Sequence, residues 1–570
     1  MFSFINTFKK ILSNIPAENG KKTVLILILL FAQSVLEVFS IAGVLPVLSS
    51  MTSSDPINDF WWAKKIAYYF NVNSKEELLL ILTWILFIFI CFKNVMSILI
   101  IKYINVFSFN VYRKLALKIA NYIHDNHSYF INKKNSNEIV QDINRVSYYF
   151  AKDQLISSLY IITELLTFSV ILSGLFLYEP RVFFLLVILV FPFIFLPYLK
   201  LKKLAVFLGE KRKMNEPQLE KSYREHIFGY IDITLTNSRN YFLKKIDNFL
   251  NAIVKIDINT NVISIIPSRI IESAIVLSLS VITTYSFIVD IKMGELINLL
   301  GLFAIAGFRI TPSINRINAS LTAINTTSWV MNSLNDFHFN DYNKHLINDT
   351  KLKFSKRISL NSATFHYENH KNLIFDDFSM DILKGESVGI IGKSGSGKTT
   401  LINVLLGVLS LKKGSLLLDD VIINDDTLKD YWKKIGYIKQ DTFFINDSIL
   451  KNVAFGLNKN EIDMDKFNYA INLAELSEFI GSLDLKENFI IKEGGSNISG
   501  GQRQRIGIAR ALYFDKEILF FDEATSALDE ENQEKITLAI KKLSTNNITT
   551  VIISHRPSAL KYCDKIIDLN

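Results

Sequence analysis

The sequence predicts two joined units of different class: an all-α membrane bundle of six helices, followed by an α/β domain built around a phosphate-binding loop. Three observations carry this. Of the 570 residues 49% are apolar, with 43 Phe, and the apolar excess lies mostly before residue 320. Six long apolar stretches occur in that part. After residue 356, short apolar runs alternate with helical patterns around Gly392-Lys393-Ser394-Gly395-Ser396-Gly397-Lys398-Thr399. A single soluble α/β enzyme would spread its apolar residues more evenly.

A bilayer core of about 30 Å needs about 20 apolar residues in a helix. Stretches 23–50, 78–104, 155–178, 182–200, 262–289 and 295–317 meet or approach this. The N-terminus (Lys9, Lys10, Lys21, Lys22) is basic, as are the second-to-third connection (Arg113, Lys114, Lys118, Lys133, Lys134, Arg145) and the fourth-to-fifth (Lys200 to Arg224). These segments belong on the cytoplasmic side. The net charge of +8 is therefore that of a membrane protein setting its orientation, and no nucleic-acid partner is expected. Met1 to Lys22 is polar and leads into a full-length span, so no cleavable signal is expected. Cys91 and Cys563 form no ligand cluster and no disulfide framework.

The two basic connections are far longer than a turn needs and keep helical periodicity, as in Tyr112 to Ile123. Long helices projecting from the bilayer explain them. Turns near 129–137 and 226–236 would then face whatever follows the sixth span. In the outer connection, Trp62, Ile66, Tyr69 and Phe70 fall at helical spacing, with Lys64 and Lys65 on another face. Over about 58–70 this reads as an amphipathic helix on the outer interface or as a structured loop.

The domain plan is residues 1–336 for the bundle, 337–356 for a polar linker and 357–570 for the α/β domain. In the last, the apolar run Val388 to Ile391 leads into Gly392, and Thr400 to Leu406 continues as a helix. Glycines let backbone N–H groups approach phosphates; Lys398 reaches the β and γ phosphates and the Thr399 hydroxyl ligates Mg²⁺. Ser394, Gly395, Ser396, Gly397 and Thr400 complete that cradle. Upstream, Tyr367 is placed to stack on an adenine or to serve as a core aromatic. Gln440 follows a strand-like run and could sense Mg²⁺ or water. Ile498-Ser499-Gly500-Gly501-Gln502 precedes a helix and offers a second anion-binding N-terminus. Ile518 to Phe521 is a buried strand ending in Asp522, suited to Mg²⁺, and Glu523, suited to polarising a water. Ser526 to Asp529 follows, and His555 ends the strand Thr550 to Ser554.

This ordered array resembles the nucleotide-binding domain of ABC transporters. With six spans ahead of it, nearly the whole chain resembles an ABC exporter half-transporter (type IV-like). The resemblance implies ATP and Mg²⁺ as cofactors. It also implies a homodimer in which Gly392 to Thr399 of one copy meets Ser499 and Gly501 of the other, with Glu523 as base and His555 and Gln440 supporting hydrolysis. Ile498 stands where the family usually has Leu, and the closing segment most members carry after Asp568-Leu569-Asn570 does not appear.

Charges inside spans are costly and point to a cavity or to each other. Lys93 lies about 22 Å inward from the outer end of the second span, Arg309 is at similar depth in the sixth, Arg316 is two turns further, and Arg269 is near the cytoplasmic end of the fifth. Four cations at that depth suit an anionic headgroup such as a pyrophosphate. Against this, Arg269 and Arg316 can snorkel, Arg269 can pair with Glu272, and Glu37 and Glu164 read as counterions. Val35 to Pro46, Pro267 to Glu272 and Phe308 to Ile317 look like the matching spans of bacterial lipid-linked oligosaccharide flippases. That likeness implies an inner-membrane location and movement of an undecaprenyl-pyrophosphate-linked glycan. An exporter of another lipid, peptide or drug is the alternative.

Overall fold

A computed structural model describes residues 2–15, 20–125, 136–178, 180–288, 293–337, 352–367, 373–393, 395–424, 426–439, 442–522, 545–554 and 560–569, with isolated positions between 534 and 543. For most of 174–199 and 293–310 only the backbone is described. The chain divides into two compact units, Met1–Tyr342 and Asn343–Asn570.

The first unit is all helix. In order come α1 (Phe2–Ser13), α2 (Gly20–Ala42), α3 (Val44–Thr52), α4 (Pro56–Asp59), α5 (Trp61–Phe70) and α6 (Lys75–Asp125). Then follow α7 (Ser136–Gln141), α8 (Ser147–Tyr149), α9 (Ser157–Tyr178), α10 (Pro180–Phe228), α11 (Tyr230–Leu235), α12 (Arg239–Ile288), α13 (Met293–Thr326) and α14 (Trp329–Asn335). At 51, 49 and 50 residues, α6, α10 and α12 are each about 75 Å long, more than twice a bilayer core. The two halves of α6 show what each end meets. Trp84, Phe87, Ile88, Phe92 and Ile98 are more than half exposed, an apolar surface that water would penalise and lipid would not. Ile100, Ile104, Phe107, Val111, Leu115, Ile119 and Ile123 recur every three or four residues and are buried with Val146, Phe150 and Trp329.

Among the described residues, four helical stretches are long and apolar enough to cross a membrane: Gly20–Ser40, Lys75–Asp125, Glu138–Ser173 and Arg239–Thr284. The predicted spans 182–200 and 295–317 fall in α10 and α13, where most side chains lie outside the described residues. Three details depart from expectation. The first predicted span is broken at Gly43 into α2 and α3. Pro46, in the first turn of α3, has no N–H to continue the ladder, and a Cβ at Gly43 would meet Leu86 Cδ1 at 3.0 Å. The outer helix runs over Trp61–Phe70, and its buried residues are Ala63 and Ala67, with Trp62 and Ile66 beside them; Tyr69 and Phe70 point away, 79% and 58% exposed. Two small alanines allow a close approach that the larger aromatics cannot make. Ahead of α9, the segments Asp142–Val146 and Phe150–Ile156 are π-helical. Of the predicted turns, 129–137 lies largely outside the described residues, while 226–236 is the tip joining α10 and α11, with Ile227, Phe228, Tyr230, Ile231 and Leu235 all at least 67% exposed.

The second unit holds eleven described strands: β1 (Arg357–Phe365), β2 (Phe375–Leu383), β3 (Ser387–Ile391), β4 (Lys413–Leu418), β5 (Val421–Ile422), β6 (Ile435–Lys439), β7 (Asp447–Ser448), β8 (Ile490–Ile491), β9 (Ile518–Asp522), β10 (Thr549–Ile553) and β11 (Lys565–Asp568). An antiparallel sheet runs β2-β1-β4-β5, and a parallel sheet runs β11-β3-β10-β9-β6. The parallel strands read as continuous apolar runs because both faces are covered. Ile518, Leu519, Phe520 and Phe521 are fully buried. Two apolar cores flank this sheet, one shared with the antiparallel sheet and one with the helices around Gly500–Tyr513.

Candidate functional site

In a parallel sheet, ligands collect beyond the C-terminal strand ends. Here β3, β10, β9 and β6 are neighbours in that order. Their register puts Ile390 beside Ile553, Ile553 beside Asp522, and Asp522 beside Lys439. The last residues of four strands therefore lie at one edge, each leading into a predicted motif.

From β3 the chain enters Gly392 and then α15 (Lys398–Leu405), which packs against β9. Gly397 caps α15 with φ of +92°, and a Cβ there would meet Ile374 Cγ2 at 2.6 Å, so conformation and space both require glycine. Lys398, only 6% exposed, folds back over the loop and donates to the carbonyls of Gly392 and Lys393, both at 2.8 Å. Its ammonium is thus fixed at the loop mouth beside the N-terminus of α15, where an anion is stabilised. Ser396 Oγ is buried without a protein partner among the described residues. Thr399 faces outward, while Thr400 is buried and lies 3.3 Å from the Tyr367 hydroxyl. Tyr367 is 40% exposed and stands edge-on to Phe365, so one hydroxyl contact ties the predicted adenine-stacking ring to the phosphate helix.

At the end of β9, Asp522 accepts a hydrogen bond from Tyr437 Oη at 2.9 Å. Tyr437 pairs with Phe520, two residues back on the same face, so the ring reaches diagonally to the carboxylate. Burial first, then the Asp522 charge and hydrogen bond, push the phenol well above its ordinary value, so it stays a donor. Tyr437 went unnoticed in the sequence, because only the pairing of β6 with β9 brings it to Asp522. Gln440, Glu523, Asp529, His555 and Ser394 lie outside the described residues.

Ser499 caps helix α16 (Gly500–Tyr513). The Gln502 N–H donates to Ser499 Oγ at 3.3 Å, and the Ser499 N–H donates to Gln502 Oε1 at 2.8 Å. Both side chains of the predicted second anion site thus close a capping box on themselves. Gly501 is buried, while Ser499 remains exposed.

Among the described residues no cluster of three His, Cys, Asp or Glu could hold a metal. The predicted metal set of Thr399, Gln440 and Asp522 needs none: the Thr399 hydroxyl and Asp522 carboxylate are hard oxygen donors of the kind that suits Mg²⁺ completed by phosphate and water, and Gln440 lies outside the described residues.

The cations of the bundle are not four unpaired charges. Lys93 Nζ lies 3.3 Å from Glu37 Oε2, Arg316 Nε lies 2.8 Å from Glu164 Oε1, and Arg269 Nη1 lies 2.9 Å from Glu272 Oε2. The Arg309 side chain lies outside the described residues. A charge in a low-dielectric interior carries its counter-charge with it, which accounts for Lys93 with Glu37 and for Arg316 with the buried Glu164, while the Arg269–Glu272 pair is exposed along one helix. Further polar contacts join the helices: Gln33 Nε2 donates to Ser97 Oγ at 3.1 Å, and Ser34 Oγ to the Thr163 carbonyl at 3.4 Å. Polar contacts therefore cross α6, α2, α9 and α13.

Residues 375–526, which contain the phosphate loop, the Ser499 turn and Asp522, match the ABC transporter family. Over 218 residues the chain is 38% identical to an ATP-dependent lipid A-core flippase 2 from Colwellia psychrerythraea, covering 38% of this chain and 37% of that one. Over 354 residues it is 32% identical to an ATP-dependent lipid A-core flippase from Francisella novicida, covering 61% and 58%. The chain thus matches well under two thirds of either relative's length, but the second match is longer than the Asn343–Asn570 unit and so reaches into the bundle. A bacterial Atm1-family ABC exporter solved with ATP bound has the same fold, with a TM-score of 0.72 over 97% of this chain and 93% of the other, at 18% identity. The C-terminal unit is an ABC transporter ATPase domain, and the chain carries the fold of an ABC exporter.

Proposed function

We propose that two copies of this chain act together in the bacterial inner membrane as an ATP-driven exporter that moves a phosphate-bearing lipid-linked glycan, such as an undecaprenyl-pyrophosphate oligosaccharide, away from the cytoplasmic leaflet. The observation that carries this reading is the fusion of the ATPase domain to long apolar helices bearing the pairs Lys93–Glu37 and Arg316–Glu164. Lys398 and the N-terminus of α15 would bind the β and γ phosphates, and Tyr367 would stack on adenine. Ser499 and Gly501 of the partner copy would complete the γ-phosphate site. Thr399, Gln440 and Asp522 would hold Mg²⁺, which neutralises charge on the transferring phosphate. Glu523 would act as base for the attacking water, and His555 would contact the γ-phosphate. Inside the bundle, an anionic headgroup would replace Glu37 and Glu164 as the partner of Lys93 and Arg316, with Arg269 and Arg309 alongside.

A second reading, movement of a lipid A-type glycolipid, is favoured by what the two flippase relatives are named for. Reconstituted vesicles decide between them. Protein with a fluorescent undecaprenyl-pyrophosphate oligosaccharide should make the glycan reachable from the far side only with ATP, and Glu523→Gln should abolish this. Transport of lipid A-core but not of the polyprenyl lipid would replace the first cargo by the second; transport of a peptide and no lipid would overturn both.

A further inference from the structure

Within the first unit, α10, α12, α14 and the segment around Glu138 to Val146 border a half-open cavity of about 1350 Å³. This is larger than the ~300–1,000 Å³ of most small-molecule sites. It lies where the helices leave the apolar stretches: its α12 residues precede the predicted span starting at residue 262 by about 5 to 20 Å at 1.5 Å per residue. On the topology proposed above, that is the cytoplasmic side, directly beneath the headgroups.

The lining is largely polar. On α12, Asn248, Asn251, Lys255 and Asn259 line it at helical spacing with their side chains exposed, around the buried Ile256. Opposite them, α10 presents Asn215 and Gln218. Charge on the lining balances: Lys211, Lys213 and Lys255 are matched by Glu138, Asp142 and Asp336. A phosphate site would carry a clear positive excess. Neutral amides, each both donor and acceptor, instead match hydroxyl groups, which also donate and accept.

One wall is aromatic. Trp329 is 6% exposed, and its Nε1 is buried without a protein acceptor among the described residues, which is uncommon for a buried indole. The walls are fixed by ion pairs: Arg145 with Glu216 and Glu220, and Arg212 with Asp257, which joins α10 to α12. The chamber is therefore already shaped rather than made by collapse around a ligand.

We propose that this cavity is a receiving site for the polyhydroxylated, uncharged part of the cargo, the sugar residues, which it would hold while the lipid tail stays in the bilayer. This rests on the glycolipid reading of the cargo and adds a separate site to it.

The test is titration of the full-length protein in detergent with tetra-N-acetylchitotetraose and with maltotetraose, followed by tryptophan fluorescence, with inorganic pyrophosphate as the anionic comparison. A saturable change with at least one sugar, lost in Trp329→Phe, is expected. The pair Asn248→Ala with Asn259→Ala should weaken it about tenfold, the loss of one or two hydrogen bonds, and leave basal ATP hydrolysis unchanged. No saturable change with either sugar overturns the proposal. So does a change that survives Trp329→Phe, indifference to the asparagine pair, or tighter binding of pyrophosphate than of both sugars. Sugar binding without lipid transport in vesicles would sink the cargo reading and leave the cavity standing; lipid transport without sugar binding would do the reverse.

Discussion

Tyr437 donates its phenolic hydrogen to Asp522 across 2.9 Å, from the strand next to the one that ends in the carboxylate. Asp522 is thus held in one orientation by the neighbouring strand. Tyr437→Phe keeps the ring and removes only this bond. If Asp522 holds Mg²⁺ as proposed, the Mg²⁺ concentration for half-maximal ATP hydrolysis should rise by roughly tenfold on losing this outer-shell partner, with the rate at saturating Mg²⁺ close to wild type. A fall in the saturating rate with no change in Mg²⁺ dependence would assign Tyr437 a different job.

Ser499 is an N-cap, and the proposed function also sets it against the γ-phosphate held by a partner copy; one substitution can separate the two. As an N-cap it accepts from the Gln502 N–H, and its loss should cost about 1 kcal/mol of domain stability. As a partner-facing γ-phosphate ligand its loss should also cut ATP hydrolysis by the dimer. Ser499→Asp keeps the cap, since Asp caps as well as Ser, but places a negative charge against phosphate. Denaturant melts should then be near wild type while hydrolysis falls further than in Ser499→Ala. Equal activity of the two variants would remove Ser499 from the nucleotide site.

Asp419, at the turn between β4 and β5, accepts from the N–H of Ser355, Lys356 and Arg357 and from the Ser355 hydroxyl, all within 2.8 Å. Burial opposes its ionisation, but these bonds outweigh that and hold its carboxyl below the ordinary value of 3.8. A depressed folded value means the contribution is present above the ordinary value and is lost as pH falls through the folded one. Hydrogen exchange over Ser355 to Phe365, corrected for intrinsic rates, should be protected at pH 7 and lose protection below about pH 4. Asp419→Asn should start less protected at pH 7 and change little over that window.

The parts that were legible in the sequence are those with a strong local code. Gly397, whose positive φ and crowded Cα admit no side chain, and the apolar runs of β3 and β9 announced the phosphate loop and the sheet edge. The contacts that finish the site cross between strands and depend on register. Tyr437 sits 85 residues from Asp522 in sequence, and no periodicity within either segment links them. In the outer helix the periodicity was real, but the buried face was set by Ala63 and Ala67, whose small size counts for little in a hydrophobic stripe. Glu37 and Glu164 were readable as counterions; which cation each would take depended on how α2, α6, α9 and α13 pack.

That packing gives the last prediction. Lys93 and Glu37 are paired at 3.3 Å with side chains only 15% and 11% exposed. Removing one partner leaves the other uncompensated in a low-dielectric interior, so Glu37→Gln alone should destabilise the protein by about 3 to 5 kcal/mol. Replacing both, Glu37→Leu with Lys93→Met, removes the desolvated charges together and should recover most of that loss. If Lys93 also serves the cargo, the double variant will be stable and hydrolyse ATP, yet transport will stay low because the headgroup has lost a cation it would meet. Full transport by the double variant would make the pair purely structural and leave cargo recognition to Arg269, Arg309 and Arg316.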